Sequence, residues 1–480
     1  MENKYLLDNK PHTTFNHSIE IFGSYFNHNY KESSICIRTQ NGKTVLFIGE
    51  FVNAKYPKQT ITETASKLVT CETLEEILEE LNYLAGRYLL FYGNETSIQY
   101  VIGDAVASIP TNYMFDGNSY AISSHPKFIA DAYSLTKSEE SMTIAKAAEQ
   151  QQPLPYNLTM YDEIKNLIPN HYLNLTHNKM IRFYPLKENP AVDIDEVVDE
   201  TIALMKNVLN SYLSEDKIAL PITSGKDSRL ILSLLKNHLD KVEMFTYRLD
   251  AFTEETGDIA IPKQISEDYK INYHILPVLD VPESKKEAIY EELAGSQNEG
   301  ILRNAYTFNQ SILSNLDALS GDIVSITKSS FGKNIPESLG TTSYLVTKTH
   351  NYSKENKAQV EQWREGVEDI YDKTNISIFD LFNWEHRLGK WLPKSMQNYD
   401  YLMNQLYIFN CRYLMKLWVS IPRAQRVEGS FHLKVIEKEW PELLDYPLNP
   451  DDKLIDSIFS HSALFYVGSY GKYILGKFLR

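Results

Sequence analysis

The chain has 480 residues, enough for two to four domains that each bury a core. Its 43% hydrophobic and 23% charged residues are typical of an ordinary soluble globular protein and exclude a disordered or collagen-like chain. Asp and Glu number 63 against 48 Lys and Arg, and the resulting net charge of −15 would repel a phosphate backbone. We therefore expect no nucleic-acid partner.

Cysteine usage and hydropathy indicate the compartment. The three cysteines, Cys36, Cys71 and Cys411, stand far apart in the sequence, which predicts neither disulfides nor a structural zinc site. The first residues lack the apolar core of a signal peptide, and no stretch approaches the roughly 18 apolar residues of a spanning helix. We expect a cytoplasmic protein with no membrane span.

Short strand-like runs separated by turn residues dominate the chain as far as Tyr184. A polar stretch with a proline, Lys187-Glu188-Asn189-Pro190, then predicts a boundary between a first domain at 1–186 and a second at 194–480. The predicted strands of the first part are Ser34–Arg38, Thr44–Phe51, Arg87–Tyr92, Ser97–Ile102, Tyr120–Ser123 and His171–Leu175, and its predicted helices are Glu72–Leu84 and Pro126–Tyr133.

After the boundary, strand and helix patterns alternate, which predicts a parallel sheet with helices on both faces. From Glu283 onward the pattern is mainly helical, and the aromatic-rich end, Leu454–Leu479, is expected to form a helix docked on the core, with a membrane-surface anchor as the alternative. The predicted elements are a helix over Ile194–Leu213, a strand over Ile218–Ile222, a helix over Ser228–His238, a strand over Val242–Tyr247, a helix over Asp258–Tyr269 and a strand over Ile271–Leu276.

A short polar loop between the strand that ends at Ile222 and the apolar helix that follows carries the strongest chemical signal. The loop reads Thr-Ser-Gly-Lys-Asp-Ser-Arg over 223–229. A helix N-terminus presents unpaired N–H groups and a partial positive charge, so this loop is a candidate anion site. Gly225 would permit positive φ and close approach of the backbone, and Asp227 suits a Mg²⁺ ion that neutralises phosphates.

A simpler interpretation is that Asp227 or Ser228 caps the helix. Lys226 could face solvent or contact a triphosphate, and Arg229 could bind phosphate or form an internal ion pair. Other nucleotide and hydrolase motifs are excluded, because the sequence contains no GxxxxGK[ST], GxGxxG, HExxH or GxSxG.

This loop resembles the pyrophosphate-binding SGGxDS loop of the ATP pyrophosphatase family, and the surrounding sequence resembles the asparagine synthetase-like branch of that family. Short matches occur in family order along nearly the whole chain. They are Gly86-Arg87-Tyr88, Gly103-Asp104 through Ile109-Pro110, Ser123-Ser124-His125-Pro126-Lys127, Ile164 to Leu175, Phe245-Thr246-Tyr247-Arg248, Gly257-Asp258, Leu319-Ser320-Gly321-Asp322, Ile421-Pro422-Arg423 and Trp440-Pro441-Glu442-Leu443.

The resemblance implies a fold and a reaction. The fold class would be α/β, with an N-terminal glutamine amidotransferase-like β-sandwich flanked by helices and then a parallel-sheet ATP-pyrophosphatase domain with a helical C-terminal part. A carboxylate substrate would attack the α-phosphate of ATP in the presence of Mg²⁺, pyrophosphate would leave into the loop, and an amine donor would displace AMP to form an amide. The substrates would be small molecules or a precursor peptide, and the protein could be a homodimer.

The resemblance also assigns roles to residues. Nucleotide binding falls on 223–229 together with Thr246 and Gly321, and metal binding falls on Asp227 and Asp322. The catalytic candidates are Asp322, Lys434 and Lys453. For the two lysines, the local sequence does not decide which one would stabilise charge during amide formation.

Three departures from the family pattern qualify these expectations. Glu2 stands where glutamine-hydrolysing members have a nucleophilic cysteine, so the first domain is expected to lack glutaminase activity. Thr223-Ser224-Gly225 replaces Ser-Gly-Gly. The Ser320-Gly321-Asp322 segment aligns in two registers, so Asp322 matches either an acid that orients acyl-adenylate chemistry or one that binds Mg²⁺ and pyrophosphate.

Two further points stay open at the level of sequence. Glu385 and Arg387, in the aromatic and polar cluster Trp384-Glu385-His386-Arg387, are interpreted as a structural ion pair in preference to substrate ligands. The alternatives to an amide ligase are an adenylating enzyme of another kind, such as a peptide cyclase, and a degenerate synthetase that acts as a nucleotide-binding scaffold. Retention of Gly225, Asp227 and Ser228 argues against the scaffold.

Overall fold

The computed structural model of the chain describes residues 3–117, 119–147, 153–213, 217–293, 297–450, 464 and 466–471. The strands are β1 Tyr5–Asp8, β2 His17–Ile21, β3 Ser24–His28, β4 Ile35–Gln40, β5 Lys43–Asn53, β6 Leu84–Asn94, β7 Ser97–Gly103, β8 Asn112–Asp116, β9 Ser119–Ser123, β10 Lys165–Asn166, β11 His171–Asn174, β12 Lys179–Arg182, β13 Ile218–Pro221, β14 Val242–Arg248, β15 Asn272–Pro277, β16 Asp317–Leu319 and β17 Gln405–Leu406.

The helices lie mostly in the second half. They are α1 Ile61–Leu68, α2 Leu74–Glu80, α3 Pro126–Tyr133, α4 Glu139–Ala147, α5 Ile194–Tyr212, α6 Lys226–Leu234, α7 Gly257–Tyr269, α8 Glu283–Leu293, α9 Glu299–Asn309, α10 Thr342–Val346, α11 Lys354–Glu365, α12 Ile370–Thr374, α13 Ile378–Phe382, α14 Leu392–Asp400, α15 Arg412–Ser420, α16 Arg423–Arg426 and α17 Ser430–Glu439. A π-helix, Asn383–Trp391, joins α13 to α14, and a 3₁₀ helix, Ile323–Lys328, follows β16.

Two six-stranded antiparallel sheets form a sandwich in the first half. Their strand orders are β10-β8-β9-β1-β3-β2 and β12-β11-β7-β6-β5-β4. Strand side chains point alternately to the two faces of a sheet. The inward-facing ones, such as Tyr5 and Phe91, form a shared core, whereas their neighbours on the outer faces pack against α1 and α2 on one sheet and α3 and α4 on the other. This part of the predicted fold class is confirmed.

The second half contains a five-stranded parallel sheet in the order β15-β14-β13-β16-β17. Its central strand, β13, is buried on both faces: Leu220 packs with α5 and α6 on one side, and Ala219 packs with α9 on the other. Such two-sided burial explains the uninterrupted apolar sequence of the strand. The strand order reverses between β13 and β16, and in open parallel sheets this reversal opens a crevice at the carboxyl ends of the strands.

The segment from Asn383 to Arg412 joins the two halves through buried hydrogen bonds. The Trp384 indole donates to the carbonyl of Ala105 at 2.7 Å, and the Arg412 guanidinium donates to that of Gly103 at 2.8 Å. All strands of the sandwich precede residue 183, and all strands of the parallel sheet follow residue 217. The assignment of 1–186 and 194–480 as separate domains stays a prediction.

The sequence predicted the long elements well. Helix α3 has the predicted bounds, and α5, α7 and β14 differ from the prediction by one residue at one end. The prediction omitted the short or partly polar strands β1–β3, β8, β10, β12, β16 and β17. Within the described residues no helix is long and apolar enough to cross a membrane. The predicted terminal helix at Leu454–Leu479 lies mostly outside the described residues.

Candidate functional site

The predicted anion loop lies at the crevice where the strand order reverses. The loop leaves the carboxyl end of β13 and enters α6, while Ser320-Gly321-Asp322 leaves the neighbouring end of β16. A β-carbon at Gly321 would lie 3.7 Å from the Cβ of Asp227 and 3.1 Å from Cδ1 of Ile231. Glycine therefore lets the second loop approach the first turn of α6, and it brings the two candidate acids to one crevice.

The first turn of α6 has no side-chain cap. Gly225 is the N-cap residue and no side chain accepts a hydrogen bond from the first turn at this position. The simpler interpretation of Asp227 or Ser228 as a cap is therefore wrong: the Ser228 hydroxyl accepts instead from the Thr223 N–H, at 3.2 Å. A helix N-terminus without a side-chain cap is suited to an anion.

Glycine at position 225 lets neighbouring side chains lie close to the loop backbone. Its φ of −77° is open to any residue, so the expected positive φ is wrong. An added β-carbon would lie 3.2 Å from Oγ1 of Thr223 and 3.4 Å from Oδ1 of Asn449. The backbone N–H of Gly225 also donates to that Thr223 hydroxyl, at 3.2 Å. The loop is therefore folded tightly on itself and against the chain near residue 449.

Asp227 points away from its own helix toward two side chains from later in the sequence. Its Oδ2 accepts a hydrogen bond from Nζ of Lys328 at 2.7 Å, and its Oδ1 lies 2.6 Å from Nε2 of His432, off the direction of a good hydrogen bond. Burial alone would raise the pKa of Asp227. The contacts with His432 and Lys328 outweigh burial and lower it from 3.8 to about 2.

His432 is fully buried, and burial lowers the pKa of its imidazole despite the nearby carboxylate. Asp227 is therefore ionised at neutral pH beside an uncharged imidazole and the ammonium group of Lys328.

Asp322 has a different environment. Its carboxylate accepts a hydrogen bond from the Ser320 hydroxyl at 3.0 Å. Loss of hydration and the negative charge of Asp227 raise its pKa, although the residue keeps contact with solvent. The positive charge of the exposed Arg387 lowers that pKa in part, so Arg387 lies near Asp322.

Other loop side chains fasten the loop to the sheet. The Ser224 backbone N–H and hydroxyl both donate to Oδ1 of Asp258, at 2.9 and 2.7 Å, at the start of α7. The Thr246 hydroxyl donates to the carbonyl of Ile222 and accepts from the Tyr273 hydroxyl at 2.9 Å. Ser224 and Thr246 therefore hold the strand ends together and do not offer their hydroxyl protons to the crevice.

Arg229 binds neither the crevice nor a carboxylate of the described residues, contrary to both sequence interpretations. It is fully buried and donates to four backbone carbonyls, those of Ser224, Leu443, Tyr446 and Pro447, at 2.8 to 3.2 Å. Burial without a carboxylate partner lowers its pKa to about 10. Its guanidinium ties the loop to the chain after α17.

The candidate lysines are not brought together. Lys434 lies on the exposed side of α17 and donates to Asp195 at 2.7 Å, so the structure does not support its catalytic role. Lys453 lies outside the described residues. Lys226 lies against Gly429, where an added β-carbon would be 3.1 Å from its Cδ, so its side chain is turned toward the start of α17.

The predicted ion pair between Glu385 and Arg387 is absent. Arg387 stacks over Trp391, with 4.7 Å from its Cζ to the ring centroid. Glu385 instead accepts from Arg182, from the Trp363 indole at 2.9 Å and from Asn170 at 3.1 Å. Residues two apart on a helix do not face each other, and this rule applied to the sequence would have separated the pair.

Sequence reasoning missed two residues near the crevice, Lys328 and His432, and it preferred a structural ion pair for Arg387. No motif marks the first two, because each reaches Asp227 from an element about 100 or 200 residues away. Only the fold brings these groups together.

The donor set fits a Mg²⁺ ion that is bound largely by nucleotide phosphates. Within the described residues no group of three or more His, Cys, Asp or Glu side chains could hold a metal. Mg²⁺ at phosphate sites commonly takes only one or two carboxylates, with phosphate and water completing its coordination. Asp227 is ionised and adjacent to Asp322, so these two residues would hold the ion.

No family model and no curated protein matches the chain. Among solved structures, the chain is similar to the glutamine phosphoribosylpyrophosphate amidotransferase from B. subtilis complexed with ADP and GMP, with 13% identity over 55% of this chain and 56% of that chain and a TM-score of 0.22. It is similar to the glutamine-dependent NAD⁺ synthetase from Acinetobacter baumannii in complex with ADP, with 10% identity over 50% and 62% of the two chains and a TM-score of 0.22.

A third similar structure is the NH₃-dependent NAD synthetase from Campylobacter jejuni in complex with the nitrate ion. The identity is 14%, the coverage is 44% of this chain and 96% of that chain, and the TM-score is 0.21. The matches to the first two structures span less than two thirds of their chains. Similarity at these scores supports no conclusion about activity.

Proposed function

We propose that this protein is an ATP-dependent ligase that adenylates a carboxylate, releases AMP and pyrophosphate, and forms an amide without hydrolysing glutamine. One observation carries the proposal: the uncapped N-terminus of α6, the ionised Asp227 and the neighbouring Asp322 meet at the crevice of a parallel sheet. This arrangement suits a polyphosphate that carries a metal ion.

The first turn of α6 would receive the departing pyrophosphate. Its N–H groups point out of the helix and already carry partial positive charge, so they stabilise a leaving group that gains negative charge. Lys328 donates a hydrogen bond to Asp227, and its side chain is 30% exposed, so it can also contact a phosphate oxygen bound at this turn. Ser224, Arg229 and Thr246 keep the loop in this conformation.

Asp227 and Asp322 would hold Mg²⁺ together with the phosphates. The ion would screen the charge of the triphosphate and stabilise the developing charge on the pyrophosphate oxygen. Before the ion binds, Lys328 neutralises Asp227, which makes the close approach of two carboxylates less costly.

Arg387 is the best candidate for binding the carboxylate substrate. It is exposed, it lies near enough to Asp322 to lower the pKa of that carboxyl group, and it is held over Trp391. A planar guanidinium can donate two parallel hydrogen bonds to a carboxylate, which would orient one oxygen toward the α-phosphate.

The cysteines support the absence of glutaminase chemistry. Cys36, Cys71 and Cys411 are all buried, and burial raises the pKa of the Cys71 and Cys411 thiols to about 11. A thiolate nucleophile needs exposure, which all three thiols lack, and a lowered pKa, whereas that of Cys71 and Cys411 is raised. The amine would therefore come from ammonia or from an amino compound.

Product analysis tests the proposal. Purified protein is incubated with Mg²⁺, α-³²P-labelled ATP and a panel of carboxylic acids with ammonia or amines, and the nucleotides are separated. We expect AMP and pyrophosphate with at least one acid. ADP as the main product, or no acid-dependent turnover across the panel, would contradict the proposal.

A second assay tests whether the first half of the chain has glutaminase activity. Incubation with glutamine is expected to release no glutamate above the rate in buffer, and a variant in which all three cysteines are replaced by serine serves as a control. Glutamate release that survives this replacement would reveal another nucleophile.

A further inference from the structure

The chain after α17 lies against the loop that precedes α6. A 3₁₀ helix, Pro441–Asp445, follows α17, and the residues after it pass the loop at 223–229. The backbone N–H of Asn449 donates to the carbonyl of Ser224 at 3.3 Å, and Oδ1 of Asn449 would lie 3.4 Å from a β-carbon added at Gly225. Because Gly225 is the N-cap residue of α6, this side chain lies beside the turn that is proposed to receive the pyrophosphate.

Side-chain contacts hold this segment in place. Near the start of α6, Arg229 donates at 2.8 to 3.2 Å to three carbonyls of the segment, those of Leu443, Tyr446 and Pro447. The Tyr446 hydroxyl donates to Asp268 in α7 at 2.6 Å. The end of the segment is therefore positioned beside the loop without help from a ligand, and such preorganisation lowers the entropic cost of binding.

The carboxamide of Asn449 is available to a ligand. The residue is exposed, and among the residues that the structure describes its carboxamide has no hydrogen-bond partner. A carboxamide carries two N–H donors and one carbonyl acceptor, and rotation about its last bond exchanges their positions at little cost. An anion beside the first turn of α6 can therefore accept a hydrogen bond from Asn449.

A carboxamide donor complements the groups already at this turn. The Ser224 hydroxyl donates to Asp258 and so has no proton to offer a phosphate, and Lys328 reaches the turn through its contact with Asp227. We propose that Asn449 binds the pyrophosphate group of ATP, with a carboxamide N–H donating to a phosphate oxygen. The inference rests on the proposed function and adds a binding residue to its site.

Two substitutions of Asn449 test the proposal, and both suit its backbone. The φ of Asn449 is 46°, a conformation that glycine and aspartate tolerate. Asn449→Gly removes the carboxamide, whereas Asn449→Asp keeps its shape and places a negative charge beside the phosphates. Calorimetry on the full chain measures the binding of three probes: magnesium pyrophosphate, the magnesium complex of α,β-methylene-ATP, and AMP.

We expect Asn449→Gly to bind pyrophosphate and the ATP analogue about tenfold more weakly than the wild type does, a loss typical of one hydrogen bond to a charged group. Asn449→Asp should bind them roughly tenfold more weakly again, and added salt should reduce this second loss because it screens the repulsion. AMP lacks the pyrophosphate group and should bind equally to all three proteins. Asn375→Gly and Asn375→Asp, at an exposed asparagine with a φ of 60° after α12, serve as controls and should change none of these affinities.

The outcomes separate this inference from the proposed function. If the wild type binds neither pyrophosphate nor the ATP analogue, the proposed function fails and this inference fails with it. If the wild type binds either probe, three results would overturn the role of Asn449 alone: unchanged binding in Asn449→Gly, equal binding by Asn449→Gly and Asn449→Asp, or an equal loss of affinity for AMP. A matching loss in the Asn375 variants would also overturn it.

Discussion

At the scale of single residues, the two acids of the crevice have opposite environments. Asp227 faces Lys328 and His432, and its pKa falls to about 2. Asp322 faces Ser320 and Asp227, and its pKa rises. Asp227 is thus the stronger candidate for a permanent metal ligand. The environment of Asp322 suits either metal binding or orientation of the amide-forming step, the two roles that the two alignments of Ser320-Gly321-Asp322 imply.

The first prediction separates these roles. Asp227→Asn should reduce acid-dependent ATP–pyrophosphate exchange at least 10²-fold, because a lost carboxylate leaves the charge on the leaving group unstabilised. If Asp322 acts in the second step, Asp322→Asn should retain exchange while amide formation falls by roughly 10²- to 10⁴-fold. Comparable loss in both assays would instead make Asp322 a metal ligand. Unchanged exchange in Asp227→Asn would contradict the site.

A second prediction concerns acid stability. Because the folded-state pKa of Asp227 lies below 3.8, its contribution to stability is present above about pH 4 and is lost as the pH falls toward 2. The side chain is 37% exposed, so solvent screening limits this contribution to no more than about 1 kcal/mol. Urea unfolding at pH 7 and pH 3 should show a smaller difference between wild type and Asp227→Asn at pH 3. An equal difference at both values would contradict the ionised pair.

Arg229 carries a third prediction. Arg229→Met removes hydrogen bonds from four backbone carbonyls, three of them buried, and should lower the free energy of unfolding by about 2–4 kcal/mol. The variant Lys236→Met, at an exposed pair two turns along, should change it by less than about 0.5 kcal/mol. A stable Arg229→Met variant with selectively weakened ATP binding would restore the phosphate-binding interpretation.

At the scale of elements, the site is the meeting of a helix N-terminus with a neighbouring loop. Gly225 and Gly321 both have neighbours that a β-carbon would crowd, at 3.2 and 3.1 Å. The absence of a side chain at these two glycines lets the backbone lie close to its neighbours. From the sequence alone, only the presence of small residues could be seen. The strand, loop and helix around 218–234 were predictable because their apolar runs are continuous, whereas β16 and β17, with three and two residues, carry too little pattern to be recognised.

A fourth prediction uses the geometry of the loop. Gly225→Ala should fold with a loss of less than about 1 kcal/mol, because its φ of −77° suits alanine. The new methyl group would press on Thr223 and Asn449, so the KM for ATP should rise about tenfold, a change of about 1.4 kcal/mol in binding. Gly300→Ala in the first turn of α9, where the added carbon has an ordinary 3.7 Å contact, should leave both quantities unchanged. An unaltered KM in Gly225→Ala would remove this loop from the nucleotide site.

At the scale of the whole molecule, partly buried ionic contacts connect the sandwich to the parallel-sheet half. Arg87 pairs with Asp400 through two hydrogen bonds of 2.6 and 2.9 Å, and Arg182 pairs with Glu385. Such contacts cannot be predicted from one sequence, because partners 203 to 313 residues apart share no local pattern. The same limitation concealed Lys328 and His432, whereas the loop itself was visible because its residues are consecutive.

The fifth prediction measures this connection. Glu385 is almost fully buried, and its removal leaves the Arg182 guanidinium without an anion, so Glu385→Gln should lower the free energy of unfolding by about 3–5 kcal/mol. Arg182→Met should cost a similar amount, and the double variant should lose about 1–3 kcal/mol less than the sum of the two, because the second change removes the uncompensated charge left by the first.

Arg364→Met, at an exposed pair with Glu368, serves as the control and should cost less than about 1 kcal/mol. Urea denaturation followed by tryptophan fluorescence and by circular dichroism measures the wild type and the four variants. Because both halves bury groups of the same segment, the two probes should report one shared transition. Additive losses in the double variant, or two separate transitions in the wild type, would show that the halves unfold independently and that the Arg182–Glu385 contact contributes little to holding them together.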